Sequence, residues 1–108
     1  MTEEEVMRMC RLWAAERGWH LWRNNVGVLI DKTGRPVRYG LANETKALNG
    51  VLKSGDLIGW DENGKFVSIE CKRSRGGVIH PAQASWRDLV NLSGGRALIV
   101  SRREDLGT

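Results

Sequence analysis

Between Lys53 and Lys72 the chain reads Lys-Ser-Gly-Asp-Leu-Ile-Gly-Trp, then Asp-Glu-Asn-Gly, then Lys-Phe-Val-Ser-Ile-Glu-Cys-Lys. This pattern leaves few choices of local structure. The runs Asp56–Trp60 and Lys65–Cys71 are short, partly β-branched and bounded by turn residues, which is the sequence sign of a hairpin. A three-residue loop, Glu62-Asn63-Gly64 with Gly64 left-handed, pairs Asp61 with Lys65. Counting outward, Asp56 then faces Glu70. Directly opposed β-carbons lie about 4.5–5.5 Å apart, close enough for two carboxylates to share one cation. Side chains alternate along a strand, so Phe66, Ser68, Glu70 and Lys72 share one face while Val67, Ile69 and Cys71 share the other. The second face is apolar and is expected to pack on a helix. A two- or four-residue turn would shift the register by one and undo the opposition.

With 108 residues the chain has the length of one small domain with a single core, and residues 1–108 are read as one unit. No apolar run approaches membrane-spanning length, and the acidic start Glu3-Glu4-Glu5 is unlike a signal peptide. A cytoplasmic location with no membrane partner is expected. Cys10 and Cys71 are the two cysteines and have no metal-ligand spacing. A disulfide is formally open to them, but both fall at apolar positions and are read as buried thiols. Seventeen basic against thirteen acidic side chains leave a net charge of +4, unevenly spread. From Lys72 to Arg103 there are seven basic side chains and one acid, Asp88. That excess suits a surface that meets phosphates, although an ordinary solvated surface has the same composition.

The remaining segments can be placed around the hairpin. Glu3 to Arg17 has helical periodicity, with Val6, Met7, Cys10, Trp13 and Ala14 as its apolar stripe. Thr2 and Glu5 have capping-box spacing, and Gly18 is a natural stop. The three glutamates suit the positive end of the helix dipole whatever else they do. Trp19–Arg23 and Val26–Ile30 read as strands, followed by a turn over Asp31–Pro36 and a short strand Val37–Tyr39. His20 stands apart from other metal-ligating residues and is assigned a structural or surface role. Arg23-Asn24-Asn25 is either a backbone turn or a phosphate contact. Gly40–Ser54 reads as a long polar loop, with room for a helical turn.

After Lys72, the segment Arg73-Ser74-Arg75-Gly76-Gly77 is a basic loop whose forked guanidinium donors suit phosphate oxygens. Pro81–Leu92 reads as a helix with Ala82, Trp86, Leu89 and Val90 inward and Gln83 near its start. Ala97–Ser101 is a short buried strand, and the polar tail from Arg102 is expected to fray. Of the five tryptophans, Trp13 and Trp86 lie on apolar helical stripes and are assigned to the core. Trp19, Trp22 and Trp60 are left between core packing and base stacking.

A helical Glu, then Gly55-Asp56, then Glu70-x-Lys72 on the next strand, then a helical Gln83 resembles the PD-(D/E)xK nuclease superfamily. More narrowly, the chain is similar to a stand-alone bacteriophage-type VRR-NUC domain. That resemblance runs from Glu3 through Trp22-Arg23-Asn24-Asn25-x-Gly27 and Ser54-Gly55-Asp56 to Pro81-x-Gln83. One departure is Gly55, where the family often has Pro. Another is the run of three glutamates, in which Glu3 fits the usual spacing to Gly18 best and Glu4 second.

The resemblance implies an α/β, restriction-endonuclease-like core in which a central mixed sheet is flanked by helices. It implies Mg²⁺- or Mn²⁺-dependent endonuclease action on structured or branched DNA (flaps, splayed arms or four-way junctions), in repair, in the host cytoplasm if the chain is phage-encoded. Cutting both strands of a symmetric junction needs two sites, so a homodimer is expected. Asp56 and Glu70 would hold the metal with the backbone carbonyl of Cys71. Lys72 would orient or deprotonate water, Gln83 would hold Lys72 or a phosphate, and Glu3 would touch the water shell or a second metal. Arg23, Asn25, Lys53, Arg73 and Arg75 are the candidate DNA contacts. Two other readings are a catalytically silent DNA-binding module and a small interaction protein with a basic face.

Overall fold

The computed structural model describes residues 1–107. Helix α1 (Glu3–Glu16) begins at a capping box: the Thr2 hydroxyl accepts the Glu5 amide at 3.2 Å, and the Glu5 carboxylate accepts the Thr2 amide at 3.0 Å. It ends at Gly18, whose φ of +74° needs a residue without Cβ. Strand β1 (His20–Arg23) follows, then β2 (Gly27–Ile30) and β3 (Pro36–Tyr39), helix α2 (Lys46–Val51), and the hairpin of β4 (Leu57–Trp60) and β5 (Phe66–Cys71). Helix α3 (Pro81–Leu92) leads into β6 (Arg96–Val100), and a 3₁₀ turn closes the described chain at Arg103–Leu106.

Four strands form a mixed sheet in the order β1-β4-β5-β6. The first three are antiparallel neighbours, whereas β6 runs parallel to β5, with α3 as the crossover between them. The sheet is flanked on both faces. Val67, Ile69 and Cys71 point to one side together with Leu57 and Val100, and pack against Val6, Cys10, Trp13 and Ala14 of α1. Val6, Cys10, Leu57, Val67, Ile69, Cys71 and Val100 have no exposed surface. Each large aliphatic buried this fully contributes on the order of 1.5–3 kcal/mol. Helix α3 covers β5 and β6 on the other face. Cys10 and Cys71 are both free and buried in this core. No helix among the described residues is long and apolar enough to cross a membrane.

Strands β2 and β3 form a separate two-stranded ribbon. Its base is pinned by Asn43, only 2% exposed, whose side-chain amide donates to the Gly27 and Tyr39 carbonyls at 2.9 Å. The segment read as a long loop contains α2, begun by Thr45, whose hydroxyl accepts the Leu48 amide. Two expectations are corrected. Leu89 is 45% exposed, because the buried residues of α3 are Ala82 and Val90, with Trp86 half-buried beside them. The tail from Arg102 to Gly107 is folded back rather than frayed, and Thr108 lies outside the described residues. Asp105 accepts the Ser101 and Arg102 amides at 2.8 and 3.2 Å, and this turn presses Leu106 into the core.

Candidate active site

The hairpin register is the one the three-residue turn demands. Leu57 pairs with Ile69 and Trp60 with Phe66, so the next outward pair is Asp56 and Glu70. Gly64 has φ +81°, and the Asp61 amide donates to the Lys65 carbonyl at 2.9 Å. The turn is held by a side chain that the sequence reading used only for its backbone pairing with Lys65. Asp61, 1% exposed, accepts the Asn63 and Lys65 amides through Oδ1 and the Arg96 Nε through Oδ2 at 2.8 Å. Burial works against its ionisation, but the Lys65 and Asn63 amides and the Arg96 guanidinium hold the carboxyl below its ordinary range. An aspartate closing a turn onto amides two and four residues ahead was the available signal.

At the open end of the hairpin, Asp56 Oδ2 accepts the Cys71 backbone amide at 2.8 Å. Cys71 therefore meets the site through its backbone, while its thiol lies on the core side. Glu70 Oε1 accepts Gln83 Nε2 at 2.9 Å and lies 3.5 Å from Lys72 Nζ. The Glu70 and Lys72 side chains are only 11% and 15% exposed. Burial first, and then the neighbouring negative charge of Asp56, push the Glu70 carboxyl up to about 7, with Lys72 opposing. Two carboxylates forced together out of water repel, and a cation between them relieves the repulsion.

Gln83 is positioned by the start of α3. Its Oε1 accepts the His80 amide at 2.9 Å, closing a cap, while Nε2 remains free to donate to Glu70. Its side-chain partner here is Glu70, which itself lies 3.5 Å from Lys72, the residue that Gln83 was expected to hold if not a phosphate. The backbone leading to Asp56 is held by Asn24, whose side-chain amide donates to Ser54 Oγ and the Gly55 carbonyl at 2.8 and 2.9 Å. The Asn24 backbone N–H donates to the Asp56 carbonyl at 2.8 Å. Of the two readings of Arg23-Asn24-Asn25, Asn24 takes the backbone role. Gly55 has a steric reason as well. A Cβ there would stand 2.6 Å from Ser68 Oγ and 2.8 Å from the Ile69 carbonyl carbon. Its amide donates to Ser68 Oγ at 3.2 Å, so proline would lose a donor and clash.

A cleft of about 300 Å³ is lined by Asp56, Glu70 and Gln83 together with Lys53 and Arg38. Lys53 Nζ is held by Asn49 Oδ1 at 2.5 Å. Asp56 also lines an adjoining cleft with Glu4, Arg23 and Asn25. Glu4, rather than Glu3, is the N-terminal glutamate lining it, and it is joined to Arg23 Nη2 at 2.5 Å. Glu3 is exposed on the first turn of α1. Arg73 and Arg75 are exposed on the loop after β5, with Arg73 Nη2 donating to the Gly76 carbonyl; neither lines these clefts. A wider cleft, about 660 Å³, lies at the turn end of the hairpin between Trp13, Trp19, Glu62 and Arg96. Among the described residues no group of three or more His, Cys, Asp and Glu is placed to hold a metal ion; the acid pair has two carboxylates. Magnesium takes one or two protein carboxylates and fills its octahedron with water and phosphate oxygens, so the pair fits it.

No family model matches this chain, and neither a curated protein nor a solved structure matches it significantly.

Proposed function

We propose that this chain is a Mg²⁺- or Mn²⁺-dependent DNA endonuclease of the VRR-NUC type, built on a restriction-endonuclease-like core. The observation that carries the reading is the opposed pair Asp56 and Glu70, buried enough to raise Glu70 to about 7, with Lys72 3.5 Å away. A cross-strand salt bridge on an exposed face would contribute only about 0–1 kcal/mol and would not require such burial. The mixed sheet flanked by helices agrees with the core that the resemblance implies.

The Asp56 and Glu70 carboxylates and the Cys71 carbonyl would hold the cation, which supplies Lewis acidity at the phosphoryl group and a water nucleophilic at neutral pH. Gln83 keeps Glu70 turned toward Asp56 by its hydrogen bond. Lys72 orients the attacking water, takes part in its deprotonation and offsets negative charge as it develops on the phosphate. Lys53 and Arg38, on the cleft wall and held by Asn49 and Asn43, would meet the flanking phosphates. Arg23 and Asn25 line the adjoining cleft, and Arg73 and Arg75 extend the basic surface beyond β5. Glu4 takes the place proposed for a helical acid near the water shell.

The substrates are flaps, splayed arms or four-way junctions. Two cuts in a symmetric junction need two sites, so the active form is a homodimer. The ribbon of β2 and β3 supports this, since Leu29 and Ile30 are 62% and 67% exposed and two strands alone are marginally stable in water.

The test is incubation of purified protein with branched and linear DNA in Mg²⁺, Mn²⁺ or EDTA. Cleavage of branched DNA with either metal, absent in EDTA and in Asp56→Ala, is expected. The reading is abandoned if none of these substrates is cut while Asp56→Ala binds metal and DNA as wild type does.

A further inference from the structure

The register that opposes Asp56 to Glu70 also decides what stands next to them. Along β4, Asp56, Ile58 and Trp60 project from one face of the sheet. Pairing with β1 places Trp22 beside Ile58 and His20 beside Trp60 on that same face. Helix α3 packs on β5 and β6, and its Trp86 donates to Ser68 Oγ at 2.9 Å. The half of the face carried by β1 and β4 is left open. Trp22 is 50% exposed and Trp60 47%, whereas Trp13 and Trp19 are each 7% exposed.

The open rings touch one another. Trp22 and Trp60 have centroids 4.9 Å apart, and His20 lies 6.3 and 6.0 Å from them. They lie on the same face of the sheet as the acid pair. At about 3.3 Å per residue, the Trp22–Ile58 pair stands ~7 Å and Trp60 ~13 Å from Asp56 along the strand. A DNA strand advances about 3.4 Å per nucleotide when stacked and further when extended, so these rings lie a few nucleotides from a phosphate held at Asp56.

We propose that Trp22, Trp60 and His20 form a stacking shelf for unpaired bases of single-stranded DNA leading into the Asp56–Glu70 site. This rests on the nuclease reading for its direction, but the binding does not require cleavage. Half-exposed indoles on the sheet face shared with Asp56, which lines a cleft with Lys53 and Arg38, match what single-strand binders combine, ring faces for bases and cations for the backbone. Duplex bases are already stacked and cannot use such a shelf. The site would therefore select substrates with a free strand, such as flaps and splayed arms, over intact duplex. A second copy of the chain is the other occupant to test, although the aliphatic ribbon of β2 and β3 is the better surface for it.

The experiment uses full-length Asp56→Asn protein in EDTA, so that nothing is cut, with a fluorescent oligo(dT) and a duplex of equal length followed by anisotropy. Adding Trp22→Ala and Trp60→Ala is expected to weaken oligo(dT) binding at least tenfold and duplex binding less than twofold. Trp22→Phe with Trp60→Phe is expected to restore most of the single-strand affinity. The shelf is overturned if the alanine variant binds oligo(dT) like its parent. It is equally overturned if sedimentation shows that variant losing self-association while its single-strand affinity is unchanged. Failure of wild-type protein to cut DNA would refute the nuclease reading and leave this measurement to stand alone.

Discussion

Glu70 is where the site can be read at a single atom. Its carboxyl is raised from 4.5 to about 7 by burial and by Asp56. Between those two pH values the folded protein keeps a proton that the unfolded chain has released. The stability of metal-free protein should therefore fall as pH rises from about 4.5 to 7, by up to about 3 kcal/mol, and level off above. Urea midpoints in EDTA at pH 5 and pH 8 check this; Glu70→Gln should remove the decline, and a flat wild-type profile would show Glu70 already ionised at pH 5. Divalent-cation affinity should move the opposite way, weakening below about pH 7. Gly55 makes a second residue-level test. Alanine there must push on Ser68 Oγ and the Ile69 backbone, an overpacking that costs about 1–3 kcal/mol. Gly50, inside α2 with open space around its Cβ position, should gain about 0.5–1 kcal/mol from the same change; thermal melts of the two variants should shift in opposite directions. The placement of the acid pair and Lys72 together was legible from alternation and turn length, and that of Gln83 from the resemblance. Glu4 was legible only as the second choice after Glu3 and Asn24 only as one of two readings, because a cleft wall and a backbone clamp depend on where α1 and the Leu41–Gly55 backbone come to rest.

At the level of elements, one turn occurs twice. Asp31-Lys32-Thr33-Gly34-Arg35 and Asp61-Glu62-Asn63-Gly64-Lys65 both begin with an aspartate that accepts amides two and four residues ahead. Both carry a glycine at φ +83° or +81°. The second was legible as a three-residue loop, and the first was folded into a longer turn because Pro36 blurred its end. They differ in what lies beneath. Asp31 is exposed, whereas Asp61 also reaches Arg96 on β6 and is buried. Asp61→Ala should therefore lower the melting temperature more than Asp31→Ala and should take divalent-cation affinity with it. Calorimetric melts and metal titration of both variants decide the matter, and equal effects would mean that the turn does not hold the register. The tail shows the limit of composition: Arg102–Leu106 is polar apart from Leu106, yet a single aspartate cap is enough to fold it back. Leu89 was misplaced for a related reason. α3 turns Ala82 and Val90 inward and bonds the sheet through Gln83 and Trp86, polar contacts that an apolar stripe does not reveal.

On the scale of the molecule, the β4–β5 hairpin was legible from alternation and turn length, and the mixed sheet flanked by helices was what the resemblance implied. The strand order β1-β4-β5-β6 and the separate ribbon were not legible. A two-stranded unit with Leu29 and Ile30 outward looks in sequence like any strand pair, since periodicity does not say which sheet a strand joins. If the ribbon holds two copies together, Leu29→Asp with Ile30→Asp should convert a dimer to a 12.1 kDa monomer in light scattering at micromolar concentration. Monomer should still cut a flap but lose paired cleavage of a four-way junction; unchanged mass would place the contact elsewhere. The two turns also divide the chain by its tolerance to change in length. An insertion at the Asp31–Arg35 tip only extends the end of a ribbon, so a fluorophore tag or peptide epitope could be carried there without moving the acid pair. One residue added between Glu62 and Gly64 slides one strand past the other and aims Asp56 and Glu70 at opposite sides of the sheet. Length variation should accumulate at the first turn and be purged at the second.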